Sequence, residues 1–181
     1  MNIYDYHRAA MRTSPKDGHD KLKNGMMGLI GETGEIVDVV KKFLFQSTPD
    51  AQLPAKQLEN ELGDVMWYLA ELADGMDCQL GGLCPSFSLM DECANKLKLP
   101  PGLEDVVLSM SESAVNIARL VSKNRPFKIQ QEMRYMMKLC SWLARIAGTS
   151  LEKAADVNIA KLLERYPVEF DPKISMARYE E

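Results

Sequence analysis

An all-α bundle of four to five main helices is the fold class this sequence predicts, and three observations predict it. Apolar side chains recur every three to four residues through almost the whole chain, the period of a helix with one buried face. No stretch of any length alternates apolar and polar residues as a half-buried strand does. The firm breaks, at Pro49, Pro85, the LPPG of 99–102 and Pro167, fall between the periodic segments, where a missing N–H costs no helical hydrogen bond.

The elements follow in order. A first helix covers about 2–12, and the turn formers of TSPKDGHD (13–20) end it. A long helix runs over about 21–46 and stops at STPDAQL (47–53). Pro54 suits the first turn of the next helix, about 54–74. Gly75, Gly81, Gly82 and Pro85 punctuate the chain before a short helix at about 86–97. Helices near 103–123 and 128–147 come next. Gly148 ends the second of them, and Thr149 or Ser150 is placed to cap a last helix at about 151–165.

A chain of 181 residues is expected to make one domain with a sizeable core. Its formal charge of −4 and the lack of any Lys/Arg-rich block argue against a nucleic-acid binder. Its apolar runs fall far short of a membrane span. The opening MNIYDYHRAAMRTS has no signal-peptide core, so a cytoplasmic protein is expected. Cys78, Cys84, Cys93 and Cys140 form no C-x-x-C pair and stand far from His7 and His19. They read as free, mostly buried thiols rather than zinc ligands. Neither a nucleophile triad nor a glycine-rich phosphate loop is present.

Two acidic pairs carry the chemistry. Leu29, Glu32, Ile36, Val39 and Phe43 share one helical stripe, and Leu58, Glu61, Val65, Tyr68 and Leu72 share another. Each stripe is apolar except for one Glu, and Glu35 or Asp64 stands three residues further on. A carboxylate on a core-facing stripe is costly unless its charge is compensated. Four together would repel and raise one another's pKa. A hard divalent cation resolves this, because it takes oxygen ligands and neutralises their charge. Mg²⁺, or Mn²⁺ in its place, is therefore the expected cofactor, with Glu32, Glu35, Glu61 and Asp64 as ligands.

The first long helix also carries Gly25, Gly28, Gly31 and Gly34. Each costs about 1 kcal/mol relative to Ala, which close approach of a neighbouring helix or a ligand would offset; Gly63 fits the same pattern. An internal repeat is expected as well. Met26, Leu29, Ile36, Val39 and Val40 correspond to Val107, Met110, Ile117, Leu120 and Val121, and Tyr68-Leu69-Ala70 corresponds to Trp142-Leu143-Ala144. The acids are not repeated: Glu32 and Glu35 face Ser113 and Asn116, and Glu61 and Asp64 face Tyr135 and Lys138. The chain thus divides into an acid-bearing half (1–80), a degenerate repeat (81–148) and a closing helix with its tail (149–181).

At these residues the sequence resembles the MazG-type all-α nucleoside triphosphate pyrophosphohydrolases. The matching text is Tyr4-x-x-His7 through Thr13, GLIGETGEIVDVVKK (28–42), ELGDVMWYLAELA (61–73) and SLEKAADVNIAKLLERYP (150–167). The family's E-x-x-E, spacer, E-x-x-D arrangement falls on Glu32, Glu35, Glu61 and Asp64. A further Glu that the family often carries just before the first motif is Gly31 here. About seventy residues stand between the E-x-x-D helix and the closing helix, which compact members join directly. The resemblance implies a pseudo-dimeric monomer or a homodimer, related to the all-α dimeric dUTPases. It implies Mg²⁺-dependent hydrolysis of a nucleoside triphosphate, most simply a dNTP, to the monophosphate and pyrophosphate. Glu32 and Glu35 would be the catalytic carboxylates, with Glu35 accepting the proton of the attacking water. Lys161 and Arg165 would clamp the outer phosphates, and Asn158 and Tyr166 would contact sugar or phosphate. A ferritin-like di-iron site needs Glu-x-x-His motifs, and no histidine follows residue 19. The remaining alternative is a non-catalytic nucleotide-binding or regulatory module that has kept the fold.

Overall fold

The computed structural model describes residues 1–15, 19–96 and 102–177. Among them stand nine helices and no strand: α1 (Ile3–Met11), α2 (Lys21–Gln46), α3 (Ala55–Gly75), α4 (Leu80–Leu83), α5 (Phe87–Lys96), α6 (Leu103–Ser122), α7 (Pro126–Ile146), α8 (Leu151–Arg165) and α9 (Pro172–Ala177). The all-α expectation holds. No helix among the described residues is long and apolar enough to cross a membrane.

Local chemistry sets the boundaries. Asp20 caps α2 by accepting from the Lys23 amide at 3.0 Å. Helix α3 runs through Gly75, and Asp77, at φ 54°, turns the chain left-handed beyond it. Pro126 opens α7 two residues earlier than the pattern indicated, in the first turn where its missing N–H is harmless. Gly148, at φ 74°, closes that helix. Ser150, not Thr149, caps α8, accepting from the Lys153 amide; Thr149 donates instead to the buried Glu59 at 2.7 Å. Two short helices went unpredicted. Helix α4 is a single turn in which Gly81 lies against the Tyr4 ring, and α9 follows the segment that Pro167 opens. Of the break at LPPG, residues 99–101 lie outside the described residues, and Gly102 directly precedes α6.

Two helical hairpins organise the molecule. Helix α2 packs along α3, α6 packs along α7, and α2 crosses onto α6. Helix α8 lies against α3, and α1 is wedged onto α3, α4 and α8. Leu29, Ile36, Leu58, Leu62, Met66 and Leu69 from the first hairpin are fully buried, as are Met110, Ile117, Met133, Met137 and Leu143 from the second. Burial of such side chains is worth about 1.5–3 kcal/mol each; the apolar stripes read from the sequence form the core except at Phe43 and Tyr68, which are half-buried.

The glycines divide. A Cβ on Gly28 would lie 2.0 Å from the Tyr68 ring, and one on Gly25 would lie 2.7 Å from Leu72, so these two buy the close approach of α2 to α3. Around Gly31 and Gly34 a Cβ would meet nothing within 4 Å. The packing expectation therefore fails for those two, which sit on the exposed face of α2. The cysteines are free, but only Cys140 is buried; Cys78, Cys84 and Cys93 are half-buried.

Candidate metal centre

The site is assembled from three helices. Glu32 and Glu35 come from α2, Glu61 and Asp64 from α3, and Asn158, Lys161 and Arg165 from α8. Gly63 makes the third helix's approach possible. A Cβ there would stand 2.7 Å from the Asn158 side chain and 2.8 Å from the Ala154 carbonyl oxygen. With only hydrogen at that position, α8 settles onto α3 directly behind Asp64.

Glu32, Glu61 and Asp64 each offer a carboxylate oxygen, and these oxygens lie within 4.8 Å of one another. All three side chains are half-buried. Glu35 is exposed and outside this set, but it lines the same cavity and its charge bears on both Glu32 and Glu61. Three of the four predicted acids thus converge at ligand spacing, and the fourth stands at the rim.

Among the described residues, one cation bonds into the cluster. Lys161 Nζ donates to Asp64 Oδ1 at 2.6 Å and also reaches Oδ2. Asn158 Nδ2 donates to the same Oδ1 at 2.8 Å, while its own Oδ1 accepts from the Tyr6 hydroxyl at 3.1 Å. Asn158 is 0 % exposed, so it stands behind Asp64 and fixes its orientation. Tyr6, wholly buried, also reaches the Gly63 carbonyl at 3.3 Å. Burial, with Asp64 adding to it, holds the Tyr6 phenol well above its ordinary range.

Electrostatic magnitudes show what the cluster lacks. Two unit charges near 4.8 Å repel by roughly 3–4 kcal/mol at an effective dielectric of about 20. Lys161 bonds Asp64, and its charge opposes the rise of the Glu32 and Glu61 carboxyls only in part. Lys161 alone cannot offset three carboxylates. Burial, then Asp64, then Glu61 push the Glu32 carboxyl up to about 7, and burial followed by Asp64 raises Glu61 too. Clustered hard oxygen donors with a charge deficit fit a divalent cation of the Mg²⁺ class.

The acids open into a cavity of about 690 Å³. Lys161, Arg165, Tyr166 and Phe170 line one side, with Tyr166 packed against Phe170 at 5.4 Å between ring centroids. Trp67 and Tyr68 line another, edge to face at 4.9 Å. The Trp67 indole N–H is tied to Thr13 Oγ1 at 3.0 Å and the Ala10 carbonyl at 3.2 Å. His19 and Asn24 also face the cavity. Lys161, Arg165 and Tyr166 are among the residues the sequence marks, whereas Tyr68 falls there on an apolar stripe. Asn24, His19 and the buried Glu71 that holds them were missed. The signal for Glu71 was available, since it interrupts the apolar run YLAELA (68–73) as Glu61 interrupts its own stripe. A smaller hollow of about 360 Å³, lined by Phe43, Ser47 and Pro54 among others, has no carboxylate on its wall.

The comparisons with known proteins converge on the same segment. Residues 21–81 match the family model of the MazG nucleotide pyrophosphohydrolase domain. The chain is also 45 % identical over 65 residues to Gene 37 protein of Mycobacterium phage L5. That alignment takes in 35 % of this chain and 57 % of the phage protein, so the chain spans little more than half of that relative. No solved structure matches. The matched span holds α2, α3 and all four predicted acids, so the similarity to the MazG nucleotide pyrophosphohydrolase domain falls on the helices that build the site.

Proposed function

We propose that this protein hydrolyses a nucleoside triphosphate, most simply a dNTP, to the monophosphate and pyrophosphate with Mg²⁺ or Mn²⁺ as cofactor. The observation that carries the reading is the convergence of Glu32, Glu61 and Asp64 within 4.8 Å beside a large cavity that Lys161 and Arg165 also line. Glu32, Glu61 and Asp64 would hold the cation, with Glu35 at its edge. When bound, the cation supplies charge neutralisation between carboxylates and phosphates and acidifies water.

The chain's own residues do the rest. Lys161 and Arg165 bind the β- and γ-phosphates, Arg through its paired N–H donors, and Tyr166 packs beside them. Glu35, exposed on the cavity wall, takes the proton of the attacking water. The water oxygen bonds to the α-phosphorus, the bond from that phosphorus to the bridging oxygen breaks, and pyrophosphate leaves with the electron pair. Asn158 and Tyr6 keep Asp64 turned toward the cluster.

The test is product analysis. Purified protein incubated with a panel of dNTPs and Mg²⁺ should release monophosphate and pyrophosphate in equal amounts. Diphosphate with orthophosphate, or no turnover across the panel, would overturn the reading.

A further inference from the structure

Glu71 is a fully buried carboxylate at 0 % exposure, and the chemistry above makes no use of it. It does not belong to the acid cluster: it lies ten residues beyond Glu61 on α3, roughly 15 Å along the helix. Among the described residues, three donors hold it. Its Oε1 accepts from the Ser14 hydroxyl at 3.0 Å and from His19 Nε2 at 2.9 Å, and its Oε2 accepts from Asn24 Nδ2 at 2.6 Å. Ser14 is buried, whereas Asn24 and His19 line the same cavity as the acids.

The orientation of both cavity residues follows from that carboxylate. A carboxylate only accepts hydrogen bonds. Asn24 must turn its amide nitrogen toward Glu71, and this leaves its carbonyl oxygen as the polar atom for the cavity. A neutral His19 must carry its proton on Nε2, and its Nδ1 is then an acceptor. Thr13, also on the wall, has its hydroxyl donated to the Ala10 carbonyl at 2.7 Å and accepts from Trp67. This end of the cavity therefore offers acceptors. Asn24 lies eight residues before Glu32, roughly 12 Å along α2, a span that suits a nucleoside whose α-phosphate sits at the acids. Between the two ends stand the rings of Trp67 and Tyr68, faces on which a base can stack.

We infer that Glu71 sets Asn24 and His19 as a paired acceptor edge that selects nucleotides whose base carries the amino group of cytosine C4 or adenine C6. This deepens the hydrolase reading and rests on it. Cytosine and adenine present an N–H₂ donor to such an edge. Uracil and thymine present a carbonyl at the corresponding place, and their lone N3–H can meet only one of the two acceptors, which leaves the other unsatisfied. A site built around a hydrogen bond discriminates strongly against the analogue that cannot make it. Asn24 and His19 are the reading residues, and Glu71 is a positioning residue acting through them.

The experiment has two arms, both at pH 8. In the first, kcat/KM is measured with Mg²⁺ for dCTP, dATP, dUTP and dTTP; the better of the amino-bearing pair should exceed both keto substrates by about ten- to a hundredfold. In the second, dCMP, dAMP, dUMP and dTMP are titrated calorimetrically in EDTA, and the same order should hold in Kd. Glu71→Gln gives one partner a donor in place of an acceptor and lets Asn24 turn over. It should bring the amino-to-keto ratio to within about threefold of unity, a change that general destabilisation does not produce. Asn24→Ala, at a half-buried position, should lower the ratio in the same way and serves if Glu71→Gln fails to fold.

A ratio within twofold of unity in the wild type, a preference for uracil or thymine, or a ratio indifferent to both variants would overturn the inference, even while monophosphate and pyrophosphate still appear. Absence of turnover with every substrate would sink the hydrolase reading instead. In that case, monophosphate binding in the predicted order supports the acceptor edge, and binding without that order removes it.

Discussion

The hairpin α2–α3 and the hairpin α6–α7 treat carboxylates in opposite ways. In the first, Glu32, Glu61 and Asp64 crowd within 4.8 Å, and one lysine reaches a single member. In the second, in the register read from the sequence, Ser113 and Asn116 stand where Glu32 and Glu35 would be. They donate to one carboxylate, Glu132, at 2.9 and 2.8 Å, and Arg119 holds Asn116 from the other side at 2.7 Å. The second arrangement is complete in itself, one charge met by neutral donors. The first is a deficit that the protein leaves for something else to fill. A buried acid alone does not suggest a metal centre; the proposed centre rests on an acid cluster that its partners among the described residues do not balance.

Breaking the first hairpin should have the largest effect. Glu61→Ala and Glu32→Ala should each lower turnover by about a hundred- to a thousandfold, the usual loss when one group stabilising transition-state charge is removed, with helical content unchanged by circular dichroism. Glu61→Gln should also raise the metal-free Tm, because it relieves repulsion, and abolish the Tm gain on adding Mg²⁺. Near-normal turnover in either alanine variant would remove that residue from the site.

The second hairpin should answer differently. Glu132→Ala strands the Ser113 hydroxyl, which is buried, and the Asn116 amide. Leaving such donors unmade costs about 1–3 kcal/mol, measurable as a lower denaturant midpoint. The Mg²⁺-induced Tm gain should survive. If that gain vanished with Glu132, the assignment of structure to one hairpin and chemistry to the other would be wrong.

The contrast also has a pH signature. Glu32 sits at about 7 in the folded protein against an ordinary 4.5, with burial as the main cause, and Glu61 moves the same way. Between those values the folded state holds a proton that the unfolded chain has released. Stability in EDTA should therefore fall as pH rises from about 4.5 to about 7 and level off above. Denaturant midpoints at pH 5, 6 and 8 would follow it, and Glu32→Gln should flatten much of the slope. The carboxyls of Asp20, Asp38 and Glu59, each held below its ordinary value by lysine or backbone donors, act in the opposite sense, at lower pH.

Helical periodicity and proline placement made seven of the nine helices legible, because both report on local backbone and a single buried face. The one-turn α4 and α9 were not legible, since a single turn has no period to read. The acid cluster was legible through the charges that interrupt Leu29–Phe43 and Leu58–Leu72. That Glu35 would stand at the rim was not, because a spacing of three fixes the face of a helix but not how far its neighbour leans. Asn158 shows the same limit. Its motif marked it for substrate, whereas packing through Gly63 set it behind Asp64. The pairing of Glu71 with His19 and Asn24 joins residues 47 and 52 apart in sequence, a contact that only the tertiary fold creates.

The smallest effect tests the glycine at the head of the first acidic motif. In the same register Gly31 corresponds to Glu112, and both positions are exposed. A Cβ at Gly31 would meet nothing within 4 Å, whereas at Gly28 it would strike the Tyr68 ring. Gly31→Ala should therefore stabilise the protein by roughly 0.5–1 kcal/mol through helix propensity alone, with turnover unchanged. Gly28→Ala should destabilise it by about 1–3 kcal/mol as the ring is displaced. Since Tyr68 lines the cavity, KM should rise with it. A Gly31→Ala variant that lost stability or turnover would mean that this face of α2 is covered in solution by a second copy of the chain, and a concentration-dependent Tm would then separate that contact from local strain.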